Sequence, residues 1–234
     1  MMKTTKHVGL KLSVVMGFIS IFFMAWLSFW VFGDLDLSLS AFVLQAFDPT
    51  SQSFWQWSRI LGLLSYIALW LSVMTGLSIS SQSSGFWFER GTALSWHQFF
   101  TWLGLIGALI HAGVLLKDSF LRPTIFQLIV PFTLQHEQLS AFAWFWAGLG
   151  QVAWYVLILI AIGSLFKQKF AKTVWKYLHG LALLAYVGVV AHGLLMGTDS
   201  KQLWIQGIYL MTNIVLMLVM MLRLIQLKLP VTAR

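Results

Sequence analysis

Four histidines lie inside long apolar stretches of the sequence, where an ionisable side chain is costly and usually has a function. His97 and His111 are fourteen positions apart in one stretch, and His179 and His192 are thirteen positions apart in another. At 1.5 Å per helical residue, these spacings correspond to about 21 Å and about 20 Å. If the two helices run parallel, the imidazoles form two layers, His97 with His179 and His111 with His192.

Each layer offers what a haem iron requires, namely one axial ligand above the ring and one below it. Neutral imidazole is a common protein ligand for a b-type electron-transfer haem. We therefore predict two b haems, one bound by His97 and His179 and the other by His111 and His192. Two such centres would divide a hydrocarbon crossing of about 30 Å into short electron-transfer steps.

Helical phase supports one pair of positions better than the other. At about 100° per residue, the interval from His97 to His111 ends about 40° short of four turns, so these two share a face. The interval from His179 to His192 ends about 140° short, so both can bind only if their helix is tilted or irregular, or if the haems approach it from different directions. Three glycines would permit such approach: Gly180, Gly188 and Gly193.

Two other functions remain open at this stage. A single membrane histidine can also be a buried hydrogen-bonding residue or a member of a proton relay. The chain could accordingly be a proton-coupled transporter or a non-redox structural membrane subunit. A transporter would be expected to have membrane carboxylates, broken helices and repeat symmetry, and none is evident in the sequence. We predict no catalytic acid or base, because the carboxylates fall in the predicted loops.

The composition identifies the surroundings of these histidines. Of the 234 residues, 59% are hydrophobic and only 9% are charged, which is typical of a chain dissolved in lipid. Apolar segments of about 20 residues, free of proline, are long enough to cross a membrane as helices. The sequence thus predicts an all-α fold, a single domain over residues 1–234, with six transmembrane helices at about 12–33, 60–80, 92–116, 139–166, 177–197 and 202–222.

The basic residues predict how the helices are oriented. Most of them flank the termini and the turns after the second and fourth helices, so both termini are expected in the cytoplasm of a multi-pass cell-membrane protein, as in a bacterial inner membrane. Because membrane orientation accounts for the basic residues behind the net charge of +8, we do not expect nucleic acid as a partner. We call His97 with His179 the inner pair and His111 with His192 the outer pair.

The chain has no cysteine, which excludes disulfides, Fe–S clusters and Cys-linked haem.

Two motifs resemble the ferric reductase-like transmembrane domain family over about helices two to six: Trp96-His97 followed by His111, and Trp175-Lys176-Tyr177-Leu178-His179 followed by His192. That family includes ferric reductases, the membrane halves of NADPH oxidases and the haem subunits of periplasmic methionine sulfoxide reductase systems. The resemblance implies two haems on these four histidines, in the membrane subunit of an oxidoreductase.

The resemblance also implies partners. Larger members of the family carry a C-terminal FAD and NADPH domain, so here we expect a separate electron donor, either a cytosolic flavin reductase or membrane quinol. The expected outer acceptor is a metal chelate, dioxygen or a periplasmic redox protein.

Other residues are secondary candidates. Five basic residues near the layers could pair with haem propionates or simply set the orientation: Arg59, Arg90, Lys117, Arg122 and Lys176. Tyr186 falls midway between His179 and His192 and could lie on the electron path. The apolar stretch from Pro123 to Phe132 is too short to span, and we expect it to be interfacial or re-entrant.

Overall fold

The computed structural model describes residues 53–80, 90–119, 121–136 and 140–228 of the chain. The helices are α1 (Ser53–Ser80), α2 (Arg90–Val114), α3 (Ile125–Ile129), α4 (Ala141–Leu165), α5 (Lys172–Met196) and α6 (Leu203–Lys228). These residues form no strand, which confirms the predicted all-helical class. The predicted first helix (12–33) and both termini lie outside the described residues, and so does the six-helix count.

Five helices in the described ranges are long and apolar enough to cross a membrane, by length and composition: Phe54–Ile79, Gly91–Lys117, Ala141–Leu165, Lys172–Met196 and Leu203–Leu222. Their outer faces consist of large apolar side chains, of which Leu184 is 69% exposed and Leu159 is 68% exposed. Such surfaces are stable in hydrocarbon and unstable in water. The multi-pass membrane architecture follows.

Helix α1 begins at Ser53, well before the predicted start at residue 60. The predicted helix began just after Arg59, because a charged residue normally marks the end of an apolar span. Arg59 instead makes a two-pronged ion pair with Asp199, which lies in the turn before α6. Because the guanidinium is neutralised by this carboxylate, the helix continues past it at the membrane boundary.

Helices α1 and α2 pack as an antiparallel pair along a seven-residue repeat. Three serines recur on α1 at this interval: Ser58, Ser65 and Ser72. Opposite them on α2 lie His111, Gly104 and His97. Seven residues end about 20° short of two turns, so each set forms one stripe along its helix. The two stripes hold the helices in a single register.

Gly104 makes the closest part of this contact possible. The Ser65 hydroxyl donates to the Gly104 carbonyl at 2.7 Å, and a Cβ added at Gly104 would lie 2.6 Å from Cγ of Leu69. Small residues allow membrane helices to approach in this way. Any side chain at this position would push the two helices apart.

Helix α4 packs mainly on α5, and it is tied to α2 by the Trp154 indole, whose N–H donates to the Leu105 carbonyl at 3.0 Å. Helix α6 closes the bundle against α1 and α5. Its buried residues Trp204, Ile205 and Tyr209 join the main core.

We call the stretch from Pro123 to Phe132 the re-entrant segment, after one of the two positions predicted for it, and it contains the short helix α3. Gln151 of α4 donates from Nε2 to the carbonyls of Gln127 and Leu128 at 2.8 Å and 2.9 Å, and the Tyr155 hydroxyl donates to the last carbonyl of α3. Gln151 lies ten residues after Ala141, the first residue of α4, which is about 15 Å along the helix axis. These side chains therefore tie α3 to the middle of α4 and supply donors to three of its carbonyls.

Two left-handed residues bracket the re-entrant segment, Arg122 with a φ of 36° and Phe132 with a φ of 64°. This conformation is uncommon for residues with side chains, and it lets the chain reverse direction sharply. The Phe132 ring lies directly against Gly148 of α4, where a Cβ would overlap it. The segment is therefore fixed at both ends and along its length.

We expect Gly104→Ala to destabilise the protein by about 1–3 kcal/mol, because the added methyl group overlaps Leu69. Gly113→Ala on the same helix is the matched control, since a Cβ there meets nothing within 4 Å. Thermal unfolding of the detergent-solubilised proteins measures the difference. Equal unfolding temperatures for the two variants would contradict the close contact between α1 and α2 at Gly104.

We expect Gln151→Leu to cost about 1–3 kcal/mol, because two backbone carbonyls of the re-entrant segment lose their donor. The exposed Gln206 provides the control variant Gln206→Leu. Limited proteolysis within residues 121–136 should accelerate only in the Gln151 variant. Unchanged cleavage would mean that the segment does not depend on Gln151.

Candidate functional site

The structure brings the four membrane histidines together in the two predicted pairs. The ring centres of His97 and His179 are 6.0 Å apart, and those of His111 and His192 are 6.3 Å apart. The ring planes in each pair are nearly perpendicular, at 79° and 80°. The pairs thus share almost the same geometry although they lie in different parts of the bundle.

This separation matches two imidazoles on opposite sides of one metal ion. A metal–imidazole bond is about 2 Å long, and each nitrogen lies roughly 1 Å from its ring centre, so opposed ligands have centres about 6 Å apart. Both measured separations agree with this value.

Three of the four histidines are held by a backbone carbonyl of a neighbouring helix. In each case Nδ1 lies within hydrogen-bond distance of the oxygen: His97 with Ser72 at 2.8 Å, His111 with Ser58 at 2.6 Å, and His192 with Trp146 at 2.9 Å. A carbonyl can only accept, so Nδ1 must carry the proton. Nε2 is then unprotonated and available as a metal ligand, the arrangement typical of metal-binding histidines.

The outer pair has a distinctive electrostatic consequence. Both His111 and His192 donate from Nδ1 to carbonyls, so both Nε2 atoms are acceptors. Two acceptors cannot form a hydrogen bond with each other. A metal ion between them would be coordinated by both.

A glycine follows each holding carbonyl by four residues. Ser58 is followed by Gly62, Ser72 by Gly76, and Trp146 by Gly150. A helical side chain leans toward the preceding turn, so the residue at i+4 covers the carbonyl of residue i.

Added Cβ atoms would lie 3.0 Å from the His111 ring, 3.1 Å from the His97 ring and 2.5 Å from the His192 ring, respectively. Each imidazole therefore rests directly on bare helix backbone. The serine hydroxyls add further contacts, with Ser58 Oγ 3.0 Å and Ser72 Oγ 3.2 Å from the same Nδ1 atoms.

His179 is held differently. Its ring stacks on Trp175, one turn earlier in α5, with centres 5.5 Å apart and planes 26° apart. The side chain is exposed, and within the described ranges its Nδ1 has no carbonyl partner. The phase explains the difference, because the interval between the two histidines of α5 rotates His179 by about 140° away from His192 and so away from α4.

Helix α5 itself is regular from Lys172 to Met196, so the two histidines reach their partners from different directions. Gly188 and Gly193 do not open space beside these rings, in contrast to the prediction. A Cβ at Gly188 would lie 3.2 Å from Ala153 Cβ, and one at Gly193 would overlap Tyr209. These two glycines therefore admit neighbouring helices, whereas Gly180 faces open space.

The ligand set fits haem better than a simple metal ion. Across the described ranges, no group of three or more His, Cys, Asp or Glu side chains converges. Most protein-bound metal ions require at least three protein ligands, whereas haem supplies four ring nitrogens and needs only the two axial imidazoles. Residues His97, His179, His111 and His192 therefore suit two haems.

Tyrosines fill the bundle between the two layers. Tyr66 and Tyr186 are 2% and 1% exposed, with stacked rings 6.1 Å apart, and Tyr209 packs 4.4 Å from Tyr66. The Tyr186 hydroxyl donates to that of Tyr66, which also bonds Thr212 and Asn213. We call Tyr66, Tyr186 and Tyr209 the tyrosine core. Tyr186 thus lies midway between the layers, as its position in the sequence predicted.

Comparisons with protein-family models, curated proteins and solved structures find no match. Among the candidates for propionate pairing, Arg59 is already engaged by Asp199. The serines and glycines of α1 were not predicted as site residues, although Ser58 and Ser72 have the same spacing as His97 and His111.

We expect Gly150→Ala to disrupt the outer pair, because the methyl group would lie against the His192 ring. Gly163→Ala, further along the same helix, is the control, since its Cβ would meet only Trp175 at 3.6 Å. If each histidine pair binds one haem, the haem content per chain, measured as the pyridine haemochrome, should fall by half in the first variant and stay unchanged in the second. Equal content in both would contradict this position for His192.

Proposed function

We propose that this chain is a membrane dihaem b-type cytochrome that carries electrons across the bilayer. The inner haem would be bound by His97 and His179, and the outer haem by His111 and His192. Electrons would enter from a separate cytoplasmic flavin reductase or from quinol. They would leave to an outer acceptor, which is a metal chelate, dioxygen or a periplasmic redox protein. The protein would then be the haem-containing membrane subunit of a reductase system.

The geometry of the outer pair carries this proposal. Two neutral imidazoles, each with its proton directed to a helix carbonyl, face one another across 6.3 Å. The inner pair repeats the same separation. The pairs lie about 20 Å apart along the helices, which divides the membrane into steps short enough for electron tunnelling.

The protein residues would contribute rigidity and orientation. Bound haem iron supplies a one-electron ferric–ferrous couple. The carbonyls of Ser58, Ser72 and Trp146 accept from the Nδ1 protons of three imidazoles and would keep these rings in place if the charge of a bound group changed. A ligand that does not move when the charge changes lowers the reorganisation that electron transfer requires. The buried tyrosine core fills the interval between the layers with aromatic rings.

The same hydrogen bonds argue against a proton relay. A relay histidine must pass a proton through one ring nitrogen and receive another at the second. The Nδ1 atoms of His97, His111 and His192 face backbone carbonyls, which do not take up protons. A non-redox structural subunit, the other alternative, would give no reason for two histidine pairs at metal-bridging distance.

A reduced-minus-oxidised visible spectrum with haem quantitation tests the proposal. We expect two haems per chain in the wild type, and loss of a different one in His97→Ala and in His192→Ala, because each removes an axial ligand from a different layer. The loop histidine offers the control variant His136→Ala, which should keep both haems.

A colourless wild-type protein, purified after expression with ample haem supply, would refute the dihaem function. Loss of the same haem in both membrane variants would refute the assignment of the layers.

A further inference from the structure

The two histidine pairs are not held equally firmly. In the outer pair both rings donate from Nδ1 to carbonyls, His111 to α1 and His192 to α4. In the inner pair only His97 has such a bond, and it goes to Ser72. His179 is exposed, and among the described residues its ring contacts Trp175 and its partner His97 but no carbonyl.

An ion pair also joins the helices at the outer end of the bundle. Arg59 follows Ser58, whose carbonyl holds His111, and it pairs with Asp199 in the turn that follows α5. Asp199 in turn accepts from Gln202 Nε2 at 3.0 Å. This half-buried pair links the start of α1, which supports one outer ligand, to the end of α5, which carries the other. Displacing an outer ligand would disturb all of these contacts.

We infer that His179 is the exchangeable ligand of this protein, and that the inner iron accepts a small neutral molecule in its place. The inference rests on the proposed dihaem function. In the exchange, His179 Nε2 gives up its bond to the ferrous iron, and a lone pair of the incoming molecule takes that position. No electron or proton is transferred, and the freed imidazole stays attached to α5.

The surroundings of His179 define the class of ligand. Its neighbours on α5 are Leu178, Leu181 and Gly180, and a Cβ at Gly180 would meet nothing within 4 Å. Within the described part of the chain, the α5 surface next to His179 is therefore open at Gly180, and the leucines beside it are apolar. An anion would lose its hydration on entering such a space, whereas an uncharged diatomic molecule would not. Carbon monoxide is the suitable probe, since it binds ferrous haem without other chemistry.

The experiment compares two single-ring substitutions in the dithionite-reduced, haem-loaded protein. Trp175→Leu removes the ring that positions His179, and Phe142→Leu removes a ring that contacts Trp146 beside the outer pair, with centres 5.6 Å apart. We expect carbon monoxide to bind one of the two haems in the wild type. Binding should be roughly two- to tenfold faster in Trp175→Leu, the effect of losing one aromatic contact. Phe142→Leu should match the wild type.

Trp175→Phe, which keeps an aromatic ring, should restore most of the wild-type rate and guards against a folding defect in Trp175→Leu. Two haems that both resist carbon monoxide would overturn the inference while leaving the dihaem function intact. Equal acceleration by Trp175→Leu and Phe142→Leu would overturn it as well. Absence of haem in the wild type would instead refute the proposed function on which the inference depends.

Discussion

The hydrogen bond from an imidazole Nδ1 to a helix carbonyl is the constraint on which the site depends. A carbonyl within a helix already accepts from the N–H four residues later, and that residue's side chain normally covers it. Gly62, Gly76 and Gly150 remove this cover at three places, so three imidazoles can reach bare backbone. These bonds then determine the tautomer and the ring orientation of the three histidines. The packing of α1 on α2, and of α4 on α5, is close because these contacts require it.

The spacing of the repeats explains why the two hairpins differ. The serines and glycines of α1 that contact the histidines recur at twice the seven-residue period, which is also the spacing of the two histidines on α2. Both histidines of α2 therefore contact the same kinds of residue. On α5 the interval between the histidines is shorter by a single position. That difference turns His179 away from α4, and the contact made by His192 cannot be repeated. Because of this one-residue difference in spacing, carbonyls hold both rings of the outer pair but only one ring of the inner pair.

Much of this arrangement could be predicted from the sequence. The two layers follow from helical rise alone, and the uneven phase of His179 and His192 was visible in their numbering. The supporting carbonyls could not be predicted in the same way, because every residue has one and only packing selects which is used. The matching intervals of Ser58 with Ser72 and of Gly62 with Gly76 were the available signal. The attachment of α3 to α4 was unpredictable for a similar reason, since its donors Gln151 and Tyr155 belong to another helix.

The tyrosine core has a consequence for bioenergetics. Its rings are almost completely buried and lie between the two layers. If the chain carries electrons as proposed, each electron would cross this packed aromatic interior, and crossing a potential of about 100 mV would change its energy by about 2.3 kcal/mol. An electron that passes outward from the cytoplasm moves toward the positive side of the membrane. Transfer through the layer of Tyr66, Tyr186 and Tyr209 would therefore draw on the membrane potential and lower it.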